Sequence, residues 1–142
     1  MNNSFSVSGL GRALPEGTEG LVDENTILIQ RTLRSGQSIH FNGNIVVVGD
    51  VNPGAEITAA GNVVVIGALR GVVHAGADGD ENAVIMAFCL QPTQLRIANY
   101  ITRPPDNAPA EPDYPEIASL KDGVVTIEFF LAAAELRRRI NH

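Results

Sequence analysis

The sequence predicts an all-β fold, specifically a β-helix with about 18 residues in each coil. The main observation is an internal repeat that needs no gap: residues 35–51 read SGQSIHFNGNIVVVGDV and residues 53–69 read PGAEITAAGNVVVIGAL. The chain is also rich in glycine, with 14 in 142 residues, and its charged fraction of 18% is below the usual quarter. A short fixed period is typical of stacked repeats, and this unit suffices for three short strands but not for a pair of helices. A meander of antiparallel hairpins would explain the apolar alternation but not the gapless register.

The segment before the repeat has two parts. Residues 1–25 are rich in Ser, Gly, Asn and Glu and have neither a strand nor a helix period, so we interpret them as a disordered tail or the remnant of a linker. From there the pattern changes, and Ile27, Ile29 and Leu33 alternate with polar residues as in an entering strand. We therefore place one β-helix domain at residues 26–130.

Within the repeat, equivalent positions of successive coils are expected to stack about 4.8 Å apart, as neighbouring strands do. Val46 would then lie over Val64, and the repeated Gly-Asn pairs would fall at corners, where a positive φ is tolerated. A third, degraded copy spans residues 70–90, begins one residue early and is lengthened near residues 78–82. The following stretch TQLRIANYI (93–101) predicts another strand.

The C-terminal part is predicted to leave this stack of coils. The proline-rich stretch 103–116 interrupts it, since proline cannot donate a strand hydrogen bond. Residues 116–130 predict a hairpin around the turn formed by Asp122 and Gly123. Residues 131–142 predict a short helix with apolar positions on one side and three arginines near its end, where the helix dipole favours cations.

The composition disfavours several classes of function. A net charge of −6 with a single lysine leaves no basic stripe for a nucleic-acid backbone. The single cysteine fits a reducing cytoplasm, and no apolar run is long enough to span a bilayer. His74 is a lone histidine without a readable carboxylate partner, and the acidic stretch 78–81 lacks the ligand spacing of a calcium loop. We therefore expect no catalytic residue, no metal and no cofactor, and a protein that is not an enzyme.

Two surfaces of the predicted β-helix are candidates for binding another protein. The first is the corner RSGQ (34–37), where an arginine beside small residues could make a bidentate contact with a carboxylate of a partner. A turn whose arginine is merely solvated explains the same residues equally well. The second is a stripe of aliphatic side chains that alternate outward along the strands, where a second copy of the chain could cover them. This predicted dimer face consists of Val46, Val48, Val64 and Ile66.

An ordered set of motifs resembles the C-terminal domain of the MinC family, the septum site-determining proteins that inhibit bacterial cell division. The motifs are RSGQ (34–37), GDVNPGAEI (49–57), GN (61–62), GALRG (67–71) and HAGADGD (74–80). The resemblance covers roughly residues 27–103 in both order and spacing, and the hairpin at 116–129 is in keeping with it.

The resemblance implies a right-handed triangular β-helix that dimerises through one face and binds ATP-bound MinD, a membrane-associated ATPase. FtsZ, the polymer of the division ring, is the implied target. The protein would then be cytoplasmic and recruited by MinD to the inner face of the membrane. The MinD-binding residues that the family motif and the adjacent corner imply are Arg34, Ser35, Gly36, Gln37, Asp50, Asn52 and Gly54.

The family usually carries an N-terminal domain that antagonises FtsZ assembly, and nothing in residues 1–25 corresponds to it. We therefore expect either a fragment or a protein restricted to MinD binding and localisation, rather than direct inhibition of FtsZ assembly by these residues. Two alternatives from other classes remain. A bactofilin-like structural β-helix would polymerise end to end, whereas a hexapeptide-repeat acyltransferase would form a left-handed trimer with a histidine base.

Overall fold

The computed structural model describes residues 20–23, 25–103 and 114–130, together with the single positions 132, 138 and 140. Within these residues the chain forms twelve short strands. They are β1 (Gly20–Asp23), β2 (Thr26–Ile29), β3 (Ser38–Phe41), β4 (Asn44–Val48), β5 (Glu56–Ala59), β6 (Val63–Leu69), β7 (Val72–Ala75), β8 (Ile85–Leu90), β9 (Gln94–Ile97), β10 (Tyr100–Thr102), β11 (Glu116–Lys121) and β12 (Val124–Phe129).

The strands form two sheets that wrap around one core. The first sheet has the order β1-β2-β4-β6-β8-β11-β12, and the second has the order β10-β9-β7-β5-β3. The strands β2, β4, β6 and β8 are parallel, as are β3, β5, β7 and β9. Parallel bridges from Leu33 to Val51 and from Val51 to Leu69 form a third, shorter side. The predicted β-helix is confirmed as a solenoid of about four coils.

The register agrees with the repeat in the first two coils and departs from it in the third. Val46 pairs with Val64, and Ser38 pairs with Glu56, each 18 positions later. Glu56 pairs with Val72, only 16 positions later, so the third copy begins two residues early rather than the predicted one. The loop at 76–83 then lengthens the coil, and Val63 pairs with Ile85, 22 positions later.

The core is built by alternate residues of the strands, as a two-residue side-chain period requires. In β4 the residues Ile45 and Val47 are fully buried, while Val46 is half-buried and Val48 is exposed. Phe41 is the largest of the fully buried side chains. No polar or charged residue is buried in the described part of the chain. The interior of the solenoid is therefore an apolar stack, and polar chemistry is confined to its corners and outer faces.

The Gly-Asn corner shows why glycine recurs there. The Asn44 Oδ1 atom accepts a hydrogen bond from the backbone nitrogen of Asn62 at 2.8 Å, and Asn62 Oδ1 accepts one from Val84 at 2.8 Å. A Cβ atom on Gly61 would lie 2.2 Å from Asn44 Oδ1. Gly61 does not have a positive φ, so the reason we predicted for this corner is wrong. Glycine is needed because the asparagine ladder approaches the backbone too closely for a side chain.

Antiparallel strands lie at the ends of the sheets. β1 pairs antiparallel with β2, which extends the sheet into the segment that we interpreted as a tail. The hairpin β11–β12 pairs with β8, and its turn at Asp122 (φ 54°) and Gly123 (φ 75°) confirms the predicted Asp-Gly hairpin. The stretch predicted as one strand after the third coil is a hairpin, because β10 turns back on β9 at Ala98 (φ 53°).

Most of the predicted C-terminal helix and residues 1–19 lie outside the described residues. Of the helix, only Ala132, Arg138 and Ile140 are described, and each has helical conformation.

Candidate functional site

The first corner of the solenoid carries two stacked turns of the same type. In the first, the Gln37 backbone nitrogen donates to the Arg34 carbonyl at 3.0 Å, and the third residue, Gly36, has a φ of 87°. In the second, Ala55 donates to the carbonyl of Asn52 at 3.0 Å, and Gly54 has a φ of 89°. A positive φ at the third position is the requirement of a type II turn, which explains glycine at both places. We call residues 34–37 and 52–55 together the turn corner.

The two turns are in direct contact. The backbone nitrogen of Gly36 donates to the Gly54 carbonyl at 3.0 Å, so the turns are joined in the same way as the strands. A Cβ atom on Gly54 would lie 2.3 Å from Ser35 Oγ and 2.9 Å from Ser35 Cβ. Around Gly36 a Cβ atom would meet no atom within 4 Å. Ser35 therefore rests on Gly54, while Gly36 faces open space.

The Gln37 side chain closes the first turn from the inside. Its Oε1 atom accepts a hydrogen bond from the Arg34 backbone nitrogen at 2.7 Å and a second from Arg31 Nη1 at 3.3 Å. Arg34 and Ser35 are exposed, whereas Arg31 and Gln37 are half-buried. Sequence reasoning missed Arg31. The only signal was its position three residues before Arg34 on the same stretch of chain.

Asp50 and Asn52 lie at the same edge but are engaged in the ladder between coils. The Asp50 Oδ1 atom accepts the Ala68 backbone nitrogen at 2.8 Å, and the Asp50 nitrogen donates to Thr32 Oγ1 at 3.3 Å. Asn52 donates its backbone nitrogen to the Leu33 carbonyl at 2.9 Å. The structure thus brings all seven predicted residues to one edge, with Asp50 and Asn52 half-buried.

The outer face of the seven-stranded sheet carries an apolar stripe. The predicted dimer-face residues Val46, Val48, Val64 and Ile66 all lie on this face, and Val48 is 39% exposed. Val64 and Ile66 pack against Met86 and Phe88 of the next strand. The prediction missed these two residues, although MAF (86–88) in β8 shows the alternation. We define the outer apolar stripe by the residues Val46, Val48, Val64, Ile66, Met86, Phe88, Ile117 and Phe130.

His74 holds a turn at the far end of the second sheet. Its Nε2 atom donates to the Ala98 carbonyl at 2.9 Å, and Arg96 Nε donates to the same oxygen at 3.0 Å. Burial lowers the pKa of His74, and the nearby Arg96 charge lowers this pKa further, against the opposing effect of the hydrogen bond to Ala98. Elsewhere, burial raises the pKa of the Glu116 carboxyl. The Nε2 atom of His74 thus has a structural role, because its hydrogen bond holds the turn between β9 and β10.

The described residues contain no group of three or more His, Cys, Asp or Glu side chains that could hold a metal ion. In the same part of the chain, no helix combines the length and the apolar character needed to cross a membrane.

Comparison with known proteins decides the family. A family model described as "Septum formation inhibitor MinC, C-terminal domain" matches residues 27–130. The chain belongs to the MinC family. The resemblance seen in the motifs of the turn corner and its neighbours is thereby confirmed.

Curated MinC relatives are similar over most of this chain. The probable septum site-determining protein MinC of Heliobacterium modesticaldum is 61% identical over 106 residues, which cover 75% of this chain and 37% of the relative. The corresponding protein of Clostridium novyi is 55% identical over 112 residues, covering 79% of this chain and 53% of the relative. This MinC chain therefore spans between about a third and a half of the length of these relatives.

A solved structure is similar in three dimensions as well. It is the MinC:MinD cell division protein complex of Aquifex aeolicus, with a TM-score of 0.72 and 36% sequence identity. The match covers 82% of this MinC chain and 95% of that chain.

Proposed function

We propose that this chain is a non-enzymatic adaptor for division-site selection, which binds the ATPase MinD through the turn corner. The observation that carries the proposal is its similarity, in fold and at 36% sequence identity, to a chain of the MinC:MinD complex. The family description as a septum formation inhibitor supports the same role and disfavours both a bactofilin-like filament and an acyltransferase.

The geometry of the turn corner suits a protein partner. Arg34 is exposed, and the backbone on both sides of it is held by the hydrogen bonds of the Gln37 nitrogen and side chain. A guanidinium on a rigid turn loses little freedom on binding and can make a bidentate contact with a carboxylate. We therefore assign Arg34 and Ser35 as the direct contacts, and Gly36 and Gly54 as the residues that shape the surface.

A second copy of the chain covers the outer apolar stripe in this proposal. Aliphatic and aromatic side chains from the neighbouring strands β4, β6 and β8 lie on this face, and an exposed apolar patch of this kind is suited to a twofold dimer. The stripe and the turn corner are different surfaces of the solenoid, so that a dimer would present two corners to MinD at once.

MinD would bring the dimer to the inner face of the membrane from the cytoplasm, where FtsZ ring formation is the process to be inhibited. MinD would then supply the membrane contact, and this chain would determine where inhibition takes place without catalysing a reaction. The proposal assigns no described residue to a direct contact with FtsZ.

The test is binding of purified chain to ATP-loaded MinD. Because a close charge-assisted contact contributes about 2 kcal/mol or more, Arg34→Ala should weaken binding by roughly 30-fold or more. Arg103→Ala is the control, since Arg103 is also exposed but lies after β10. Light scattering should give the same dimeric mass for all three proteins. Wild-type affinity in Arg34→Ala would refute the assignment of the corner.

A further inference from the structure

We propose that Gln37 is a positioning residue, whose side chain supplies to the first turn the acceptor that a preceding coil supplies to the later turns, and that Arg31 fixes its orientation. The partner then contacts Arg34 and Ser35 but not the Gln37 amide. This inference deepens the proposed function and, for its binding half, rests on it.

The later coils show what the first turn lacks. The backbone nitrogen of Asn52 donates to the Leu33 carbonyl of the preceding coil at 2.9 Å. In the third coil, Arg70 donates in the same way to Val51 at 2.8 Å. Arg34 is the equivalent residue of the first coil, and its described acceptor is Gln37 Oε1 at 2.7 Å. The side chain thus occupies the acceptor position that a carbonyl of the preceding coil occupies in the later turns.

The second turn provides a comparison within the same molecule. Ala55 is equivalent to Gln37 and has no side-chain acceptor. It needs none, because the Asn52 nitrogen is already satisfied by Leu33. An acceptor side chain is therefore present in the first coil, where the described acceptor of the turn is not a carbonyl of a preceding coil. An unpaired backbone nitrogen at a turn would leave the position of Arg34 poorly determined.

Arg31 determines which end of the amide faces Arg34. Its Nη1 atom donates to the same Gln37 Oε1 atom, at 3.3 Å, and its Nε atom is buried. Two donors thus converge on one position, which the amide oxygen can satisfy and the amide nitrogen cannot. The arginine acts on the site through Gln37 and not by reaching the partner.

Two substitutions separate positioning from direct contact. Gln37→Met keeps the length of the side chain but removes the amide acceptor, whereas Gln37→Glu keeps an acceptor, replaces the amide donor by a second acceptor oxygen and adds a negative charge. Gln94→Met is the matched control, because Gln94 is also half-buried but lies in β9, three coils away and in register with Ser38. Hydrogen exchange of the Arg34 amide, read by NMR without any partner, reports the turn itself. Affinity for ATP-loaded MinD, measured at low and high salt to separate long-range charge effects, reports the site.

Gln37→Met should speed exchange of the Arg34 amide at least fivefold and weaken MinD binding about tenfold, with an unchanged dimeric mass. Gln37→Glu should restore slow exchange and bind within about threefold of the wild type at high salt. Unchanged exchange in Gln37→Met would overturn the structural half of the inference. Restored exchange without restored binding in Gln37→Glu would mean that the partner contacts the amide. If Arg34→Ala also binds normally, the site assignment itself fails, whatever the exchange data show.

Discussion

Gly36 and Gly54 form a matched pair that isolates the contact between the two stacked turns. Their φ values are 87° and 89°, so an alanine at either position meets the same backbone strain. That strain costs about 1–2 kcal/mol for a residue with a Cβ atom. Only at Gly54 would the new Cβ atom also collide, at 2.3 Å from Ser35 Oγ and 2.9 Å from Ser35 Cβ. The hydroxyl can rotate away, but the Ser35 Cβ atom moves only with its backbone.

We therefore expect Gly36→Ala to lower the free energy of unfolding by about 1–2 kcal/mol, and Gly54→Ala by about 2–4 kcal/mol, because overpacking adds its own cost. Urea unfolding of both variants and the wild type at one protein concentration measures this difference. A difference of about 1 kcal/mol corresponds to roughly 4 °C or more in Tm for a domain of this size. Equal stability of the two variants would show that Ser35 does not rest on Gly54, and the stacking argument would be refuted.

Two further predictions concern the outer apolar stripe and His74. Val64→Asp should convert the proposed dimer into a monomer in light scattering, since a buried unpaired carboxylate costs several kcal/mol. Thr58→Asp, on the outer face of the other sheet, should leave the mass unchanged. A dimeric Val64→Asp would exclude the stripe as the interface. Because the folded-state pKa of His74 is lowered, its contribution to stability is present above about pH 6.5 and is lost as the pH falls through the folded pKa. The raised pKa of Glu116 changes stability with pH in the opposite direction, and this effect is common to the wild type and to His74→Gln. The test is therefore the difference in urea midpoint between these two proteins at pH 7.5 and at pH 5.5. The same difference at both pH values would show that the charge of His74 does not affect stability.

The fold was predictable wherever the coils repeat without a gap. Identical spacing in the two copies determines that Val46 pairs with Val64, because a slip of one residue would turn the apolar set outward. The third coil was harder, since its corner at Gly71 is shortened by two residues and its loop at 76–83 is lengthened. The distance between paired residues is therefore 16 positions in one part of the coil and 22 in the other, so that no single spacing aligns the third copy with the second. β1 also escaped prediction, because its four residues have no neighbouring copy.

At the site, the sequence motif identified the exposed residues but not how they are held. Arg34 and Ser35 were predictable as a corner from their place in the repeat. The hydrogen bond between Gln37 and Arg34 was not, because it has no counterpart in the next copy of the repeat, where Asn52 donates to Leu33 instead. Nor does sequence reveal that the Asp50 carboxylate is occupied by Ala68. The repeat predicts the contacts that occur in every coil, whereas the hydrogen bonds of its first coil differ from those of the later coils.

Antiparallel strands change three of the edges of the described stack of coils. A stack of parallel coils offers the same unpaired edge above and below, so identical copies could in principle add to it without limit. In this chain β1 and the β11–β12 hairpin reverse direction at the two ends of the larger sheet, and β10 does so at one end of the smaller. An incoming coil would meet a strand of the opposite polarity at β1 and at β10. At the other end of the larger sheet, β12 runs parallel to β8, but it belongs to a hairpin instead of a coil. At these three described edges, a sequence that repeats like a fibre therefore presents something other than the edge that an identical coil would extend.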